Sequence, residues 1–211
     1  MTKIKIFVFN PFRENTFLLY DETNECILID AGCNESYEFE EVDQFIKENN
    51  LSLKAIVNTH CHIDHIMGNS YFVENYKVPS IVHQEDMPLI ERTKDMALAF
   101  GFNVNQPPVP DRFVNDGDEI TFGNAVLQVK HVPGHSPGSI ALYNEKDKFV
   151  IVGDVLFEGS IGRTDLPGGD YDTLISSIKE KLFTLNDDVV VYPGHGESTT
   201  IKHEKNTNPF F

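Results

Sequence analysis

The sequence predicts an α/β fold: two β-sheets packed face to face, with helices on their outer sides. Three observations predict it. Strands are followed by helices in each of two similar halves. The strand segments are short apolar runs, and the helix best defined by periodicity is apolar on one face only.

The first half opens with runs over Ile4 to Phe9, Thr16 to Tyr20 and Cys26 to Asp30. Asn10-Pro11 and Asp21-Glu22-Thr23-Asn24 break them, as in a strand meander. From Ser36 to Asn49, apolar Phe39, Val42, Phe45 and Ile46 share one face and acids fill the rest, the pattern of a helix lying on a sheet. Lys54 to Asn58 reads as a buried strand that delivers the chain to His60. A helix over His65 to Tyr76, a strand over Ser80 to Val82 and a helix within Glu85 to Phe100 follow, and Asn105 to Pro110 is a loop.

The second half repeats the order. Strands are expected over Ile120 to Phe122, Ala125 to His131, Ser139 to Tyr143 and Phe149 to Val152, punctuated by Gly and Asn. A helix over Tyr171 to Phe183, a strand over Val189 to Tyr192 and a short helix near Thr200 complete the expected elements.

Composition narrows the function classes. The 211 residues include 16 Phe and are 40% hydrophobic, enough for a sizeable core, and one globular domain over 1–211 is expected. The net charge of −16 repels phosphate backbones, and the 17 basic residues form no cluster, so neither a nucleic-acid nor an anionic-lipid partner is expected. The N-terminal stretch carries charges and no small-residue cleavage pattern, and no window reaches about 18 uninterrupted apolar residues. A cytoplasmic location is expected. Cys26, Cys33 and Cys61 lack CxxC spacing, which favours buried reduced thiols over disulfides or a thiolate zinc knuckle.

The chemistry concentrates in His60-Cys61-His62-Ile63-Asp64-His65, directly after a buried strand. In an extended segment residues i and i+2 face the same way, so His60 and His62 reach one ion while Cys61 points elsewhere. Asp64 supplies a carboxylate where the next helix begins, offsetting a helix N-terminus that disfavours cations. Clustered imidazoles and a carboxylate are costly as mere core packing. His135, Asp154 and His195 each follow a strand beside glycine, where a side chain projects from a sheet rim. Together these are five His and two Asp, enough for two ions sharing a carboxylate. Such donors suit zinc, iron or manganese.

Lesser candidates take structural readings. His83, His131 and His203 lie outside the ligand pattern, and Asp30 either orients a ligand histidine or caps a turn. Gly134, Gly138, Gly153 and Gly194 are expected to let the backbone approach the metals closely.

The motifs resemble those of the metallo-β-lactamase superfamily and, within it, the glyoxalase II-like hydrolases. The resemblance runs through Leu28-Ile-Asp-Ala-Gly32, Thr59-His-x-His-x-Asp-His65-x-x-Gly68, Pro133-Gly-His-Ser-Pro-Gly138, Gly153-Asp154 and Pro193-Gly-His195. It implies a four-layer αβ/βα sandwich with two divalent metal ions at one edge, zinc expected ahead of iron or manganese. By the same resemblance, His60, His62 and His135 bind the first ion, Asp64, His65 and His195 the second, and Asp154 bridges. Lactamases of this fold place Cys or Ser where this chain has Asp154, and flavodiiron proteins place Glu where it has His62. The segments Leu156 to Gly169 and Thr199 to Pro209 are similar to those of short bacterial glyoxalase II homologues. Long glyoxalase II enzymes add a C-terminal helical region with basic contacts to glutathione, which this chain is expected to lack.

The implied activity is thioester hydrolysis, with S-lactoylglutathione as substrate. A hydroxide between the two ions is expected as nucleophile, with Asp64 and Asp154 guiding the proton. Arg163, on the loop after Asp154, is a candidate for holding a substrate carboxylate; an ion pair with Asp165 or Asp170 is the other reading of it. The alternative activity is a persulfide dioxygenase with one iron held by His60, His135 and Asp154 and acting on glutathione persulfide. A metal-binding protein without catalysis is the third reading.

Overall fold

The computed structural model describes residues 1–211. The meander forms as expected: β1 (Lys3–Phe9), β2 (Glu14–Tyr20) and β3 (Glu25–Ile29) pair antiparallel. In the turn between β1 and β2, Asn10 and Arg13 adopt left-handed backbone angles, with φ of 50° and 59°. Helix α1 (Ser36–Glu48) carries the chain back to β4 (Ser52–Val57), which lies parallel to β3. The first sheet is then completed by β5 (Ser80–His83) and β6 (Arg112–Val114), giving the order β1-β2-β3-β4-β5-β6.

The second half gives β7 (Glu119–Phe122), β8 (Ala125–His131), β9 (Ile140–Asn144) and β10 (Phe149–Gly153), then a small hairpin of β11 (Leu156–Phe157) and β12 (Ser160–Ile161). Near the end lie β13 (Val190–Pro193) and β14 (Thr199–Thr200), and the second sheet runs β14-β13-β10-β9-β8-β7.

The expected run over His65 to Tyr76 is two helices, α2 (Ile63–Ile66) and α3 (Asn69–Tyr76). The break has a cause. The Gly68 N–H leaves the helical pattern to donate to the Ala31 carbonyl at 2.8 Å. The Glu85 to Phe100 run also divides, into a 3₁₀ turn (Gln84–Asp86), α4 (Met87–Glu91) and α5 (Thr93–Ala99). There the Thr93 hydroxyl donates to the Leu89 and Ile90 carbonyls, and the Gln106 amide also takes Ile90. Strands β6, β11, β12 and β14 were not expected from the sequence; each is only two or three residues long, too short for a periodic signal. Helix α6 (Tyr171–Ser177) continues as a π-helical turn through Leu182, and α7 (Ile201–Thr207) begins at a Thr200 cap.

Alternation along the strands explains the layering. Phe17, Leu19, Ile27 and Ile29 face Ile120, Leu127, Ile140, Leu142 and Ile151 across the sheet interface. Leu18, Leu28 and Ile56 point the other way, under Val42 and Ile46 of α1 and Phe72 of α3. Val150, Val152 and Val191 likewise lie beneath Leu174, Ile178 and Leu182. Strands buried on both faces read as continuous apolar runs because no side faces water. The four-layer α/β sandwich is therefore the fold, and no helix is long and apolar enough to cross a membrane.

Phe17 is fully buried at the sheet interface. Phe17→Ala is expected to cost about 3–5 kcal/mol. A denaturant titration that finds no loss would contradict this packing.

Candidate metal centre

Each expected ligand follows the C-terminal end of a strand. His60 to His65 leave β4, His135 follows β8, Asp154 follows β10 and His195 follows β13. These ends lie along one edge of the two sheets, so residues distant in sequence meet there. The structure brings all seven expected ligands together. Close approach of backbone is built in: a Cβ on Gly194 would lie 2.4 Å from Asp154 Oδ1 and 2.7 Å from His65 Cε1.

His60, His62 and His135 form one cluster. His62 Nδ1 is 2.9 Å, and His60 Nε2 3.2 Å, from His135 Nε2. The surrounding network assigns the tautomers. His135 Nδ1–H donates to the Arg163 carbonyl at 2.8 Å, which leaves its Nε2 as a lone pair. The Thr59 hydroxyl donates to Asp30 at 2.6 Å, so its oxygen receives the His60 Nδ1–H, and the inward His60 Nε2 is a lone pair too. Two lone pairs 3.2 Å apart repel. Burial, reinforced by the neighbouring imidazoles, pushes the His60 pKa well below its ordinary value. The same causes take His62 to about 3. Both rings are neutral at neutral pH, and a cation between them removes the repulsion.

Asp64, His65 and His195 form the second cluster. His65 Nδ1–H donates to Asp30 at 3.1 Å, and Asp30 also receives the Thr59 N–H at 2.7 Å. Of the two readings of Asp30, orienting a ligand histidine is the one observed. His195 Nδ1–H donates to the Phe12 carbonyl at 3.1 Å. The inner nitrogens face carboxylates: His65 Nε2 is 3.5 Å from Asp154 Oδ1, and His195 Nε2 is 3.2 Å from Asp64 Oδ2. Asp154 Oδ2 lies 3.7 Å from His135 Nε2, so this carboxylate faces both clusters.

The donor set fits divalent cations. His65 Nε2 and Asp154 Oδ1 are buried without a hydrogen-bond partner, a state native proteins avoid. Burial alone would raise the pKa of Asp154, but His65, His195 and His135 outweigh it and hold the carboxylate ionised. Burial opposes a charge on His65, yet Asp64, Asp154 and Asp30 overcome it and push its pKa well up. The pocket draws positive charge to this point. A bound cation supplies it and occupies the orphaned atoms at once.

Three residues behave otherwise than a ligand count suggests. Cys61 points away from the centre as expected, among Ile66, Val82 and Ile90, and burial raises its thiol pKa. The Arg163 side chain is exposed and pairs with Asp165 at 2.7 and 2.8 Å, the ion pair that was one of its two readings. Its main-chain oxygen is what reaches the centre. Gly134 makes room for Leu174, whose backbone a Cβ would meet at 2.4 Å, rather than for a metal.

His83, Glu85 and His131 also lie close together. The two rings stack 4.0 Å apart at 13°, so their in-plane lone pairs run side by side instead of converging. That cluster keeps its structural reading.

Sequence reasoning missed Glu14, Asn10 and Asp86. Glu14 is fully buried, accepts the Thr16 hydroxyl at 2.7 Å, and places Oε1 3.8 Å from His65 Nδ1. Burial drives its pKa well up, and only partly does His65 offset this. No spacing signal marks these residues, because their partners at the centre lie on segments distant in sequence.

Residues 9–195 match the family model for the metallo-β-lactamase superfamily. The chain belongs to that superfamily. It is 38% identical over 209 residues to the hydroxyacylglutathione hydrolase GloC of Haemophilus influenzae, covering 98% of this chain and 97% of that protein. The solved structure of the B3 metallo-β-lactamase BLEG-1 superposes with a TM-score of 0.90 at 32% identity, over 99% of both chains. TTHA1623, solved in a di-iron-bound form, superposes at 0.88 with 38% identity, over 98% of this chain and 100% of that one. The superfamily and the His/Asp clusters together make this a metal-dependent enzyme.

Metal removal is therefore expected to destabilise the protein. A cation at about 1,000 times its Kd contributes about 4 kcal/mol. Calorimetry after chelation should show a lower unfolding midpoint that added Zn²⁺ restores, and an unchanged midpoint would contradict the centre.

Proposed function

We propose that the protein is a binuclear metallohydrolase that cleaves hydroxyacyl thioesters of the S-lactoylglutathione type. The observation that carries this reading is the pair of inward-facing clusters with Asp154 turned to both. The similarity to a hydroxyacylglutathione hydrolase over 98% of the chain supports the substrate class. His60, His62 and His135 would hold one ion, Asp64, His65 and His195 the other, and Asp154 both. Zinc leads the expected metals, and iron remains a candidate, since a 38%-identical relative is described with two irons.

Bound divalent cations supply Lewis acidity, acidifying water to near neutrality and polarising a carbonyl. The chain's own residues supply the rest. The His60 and His65 side chains are fully or almost fully buried, whereas His195 keeps 24% of its side-chain surface, Asp64 16% and Asp154 15%. Substrate thus approaches over the His195–Asp64–Asp154 side. Thioester hydrolysis adds hydroxyl to the acyl carbon and a proton to the departing sulfur. Asp64, part-exposed on that side with Oδ2 3.2 Å from His195 Nε2, would carry that proton. Asp154 keeps its charge among His65, His135 and His195, 3.5 to 3.7 Å from their inner nitrogens.

Arg163 contacts a substrate carboxylate in this reading by exchanging Asp165 for it, a small cost for an exposed pair. The partner is a small molecule, because a chain of net charge −16 repels nucleic acid and anionic lipid. A cytoplasmic setting belongs to the same reading, with Cys26, Cys33 and Cys61 all free and buried.

The persulfide dioxygenase alternative uses only His60, His135 and Asp154. It leaves His65 Nε2 and Asp154 Oδ1 without a partner, which favours two ions over one.

S-lactoylglutathione turnover is expected to fall in His60→Ala by more than the roughly 10–100-fold typical of losing an outer partner. Turnover should also vanish on chelation. Undiminished hydrolysis by metal-free protein would refute the proposal. One iron per chain with persulfide-dependent oxygen uptake would establish the dioxygenase, and faster turnover of a β-lactam than of thioesters would point to lactam chemistry.

A further inference from the structure

We infer that Asn10 and Asp86 are positioning residues that each support one half of the centre, so that its two cation positions can be emptied separately. The inference rests on the binuclear reading and concerns residues outside the ligand set.

Asp86 lies in the 3₁₀ turn after β5 and is fully buried. Its Oδ2 accepts the Cys61 N–H at 2.8 Å and the Ser136 hydroxyl at 2.9 Å, and its Oδ1 accepts the Gly138 N–H at 2.6 Å. Cys61 sits between His60 and His62, and Ser136 follows His135. One carboxylate therefore ties together the two segments that carry the first cluster. It makes no hydrogen bond to the second.

Asn10 does the corresponding work on the other side. Its amide Nδ2 donates to the Asp64 carbonyl at 2.9 Å and the Gly32 carbonyl at 3.0 Å. Its Oδ1 accepts the Phe12 N–H at 3.0 Å, and the Phe12 carbonyl receives the His195 Nδ1–H. Asn10 thus fixes the main chain of Asp64 and the acceptor that aims His195. None of its hydrogen bonds reaches His60, His62 or His135. The left-handed backbone at Asn10 is one that Asn tolerates, and the Asn10 N–H is anchored separately on Glu38 at 2.8 Å.

Asn10→Asp is the sharpest test. It keeps the shape, the left-handed backbone and the acceptor for Phe12, removes the two donated bonds and sets a carboxylate charge against the two carbonyl oxygens, so the uncharged Asn10→Gly is read beside it. Asn10→Gly keeps the backbone and removes the whole side chain. Each variant would be equilibrated with Zn²⁺ against a chelator series, counting ions per chain by mass spectrometry and following the metal-free unfolding midpoint.

One ion is expected to leave at a roughly 10–100-fold lower chelator concentration in both variants, while the other stays at wild-type affinity. Asp86→Asn should weaken the opposite ion, the one that His60→Ala also removes. A merely structural role would lower the metal-free midpoint and leave the ion count unchanged. Loss of both ions together, or of neither, in Asn10→Asp and Asn10→Gly would overturn the inference. A wild-type protein that holds a single ion would instead overturn the binuclear reading beneath it.

Discussion

Imidazole nitrogens carry either a proton or a lone pair, and at the edge of this sandwich the outer nitrogens claim the protons. His65 gives its proton to Asp30, His135 to the Arg163 carbonyl and His195 to the Phe12 carbonyl. Inside face the inner nitrogens of the five histidines and the carboxylate oxygens of Asp64 and Asp154, and of these His65 Nε2 and Asp154 Oδ1 have no hydrogen-bond partner. The hydrogen bonds that orient the ligands also determine their charge state, so geometry and electrostatics come from the same contacts.

The fold makes that arrangement affordable. The inner strands of both sheets, among them β3, β5, β9 and β10, are buried on both faces, and polar side chains gather at the strand ends. Close packing of the layers fixes those ends in position. Asp30, at the end of β3 with a left-handed backbone, reaches beneath β4 to bind Thr59 and His65. Asp154 and His195 arrive on neighbouring parallel strands, β10 and β13, and Gly194 lets them approach without a side chain between them. The buried acids repel one another, and this repulsion is relieved by the positive charge the site is built to hold.

The layered fold was legible because strands covered on both sides must be continuously apolar, and because α1 shows a single apolar face. The clustering of the candidate ligands was legible because His60 to His65 is dense and His135, Asp154 and His195 each follow a strand beside glycine. Other features escaped for physical reasons. The helix break at Gly68 depends on the Ala31 carbonyl, and the break near Arg92 on the Thr93 hydroxyl, contacts made only after folding. Strands such as β6 and β14 are too short to show a period. Asp86 and Asn10 carry no local motif, since Cys61 lies 25 residues from Asp86 and Asp64 lies 54 from Asn10. Arg163 had two readings, and the nearer carboxylate, Asp165, takes it.

In this chain an aspartate, Asp154, faces both a cluster of three histidines and the cluster of Asp64, His65 and His195. The central claim is that this pocket holds two cations sharing Asp154. Anomalous diffraction from crystals of protein purified without added metal tests it most directly. The account predicts two peaks, one among His60, His62 and His135 and one among Asp64, His65 and His195, with Asp154 between them. A single peak, or none with the imidazoles still facing one another, would contradict it.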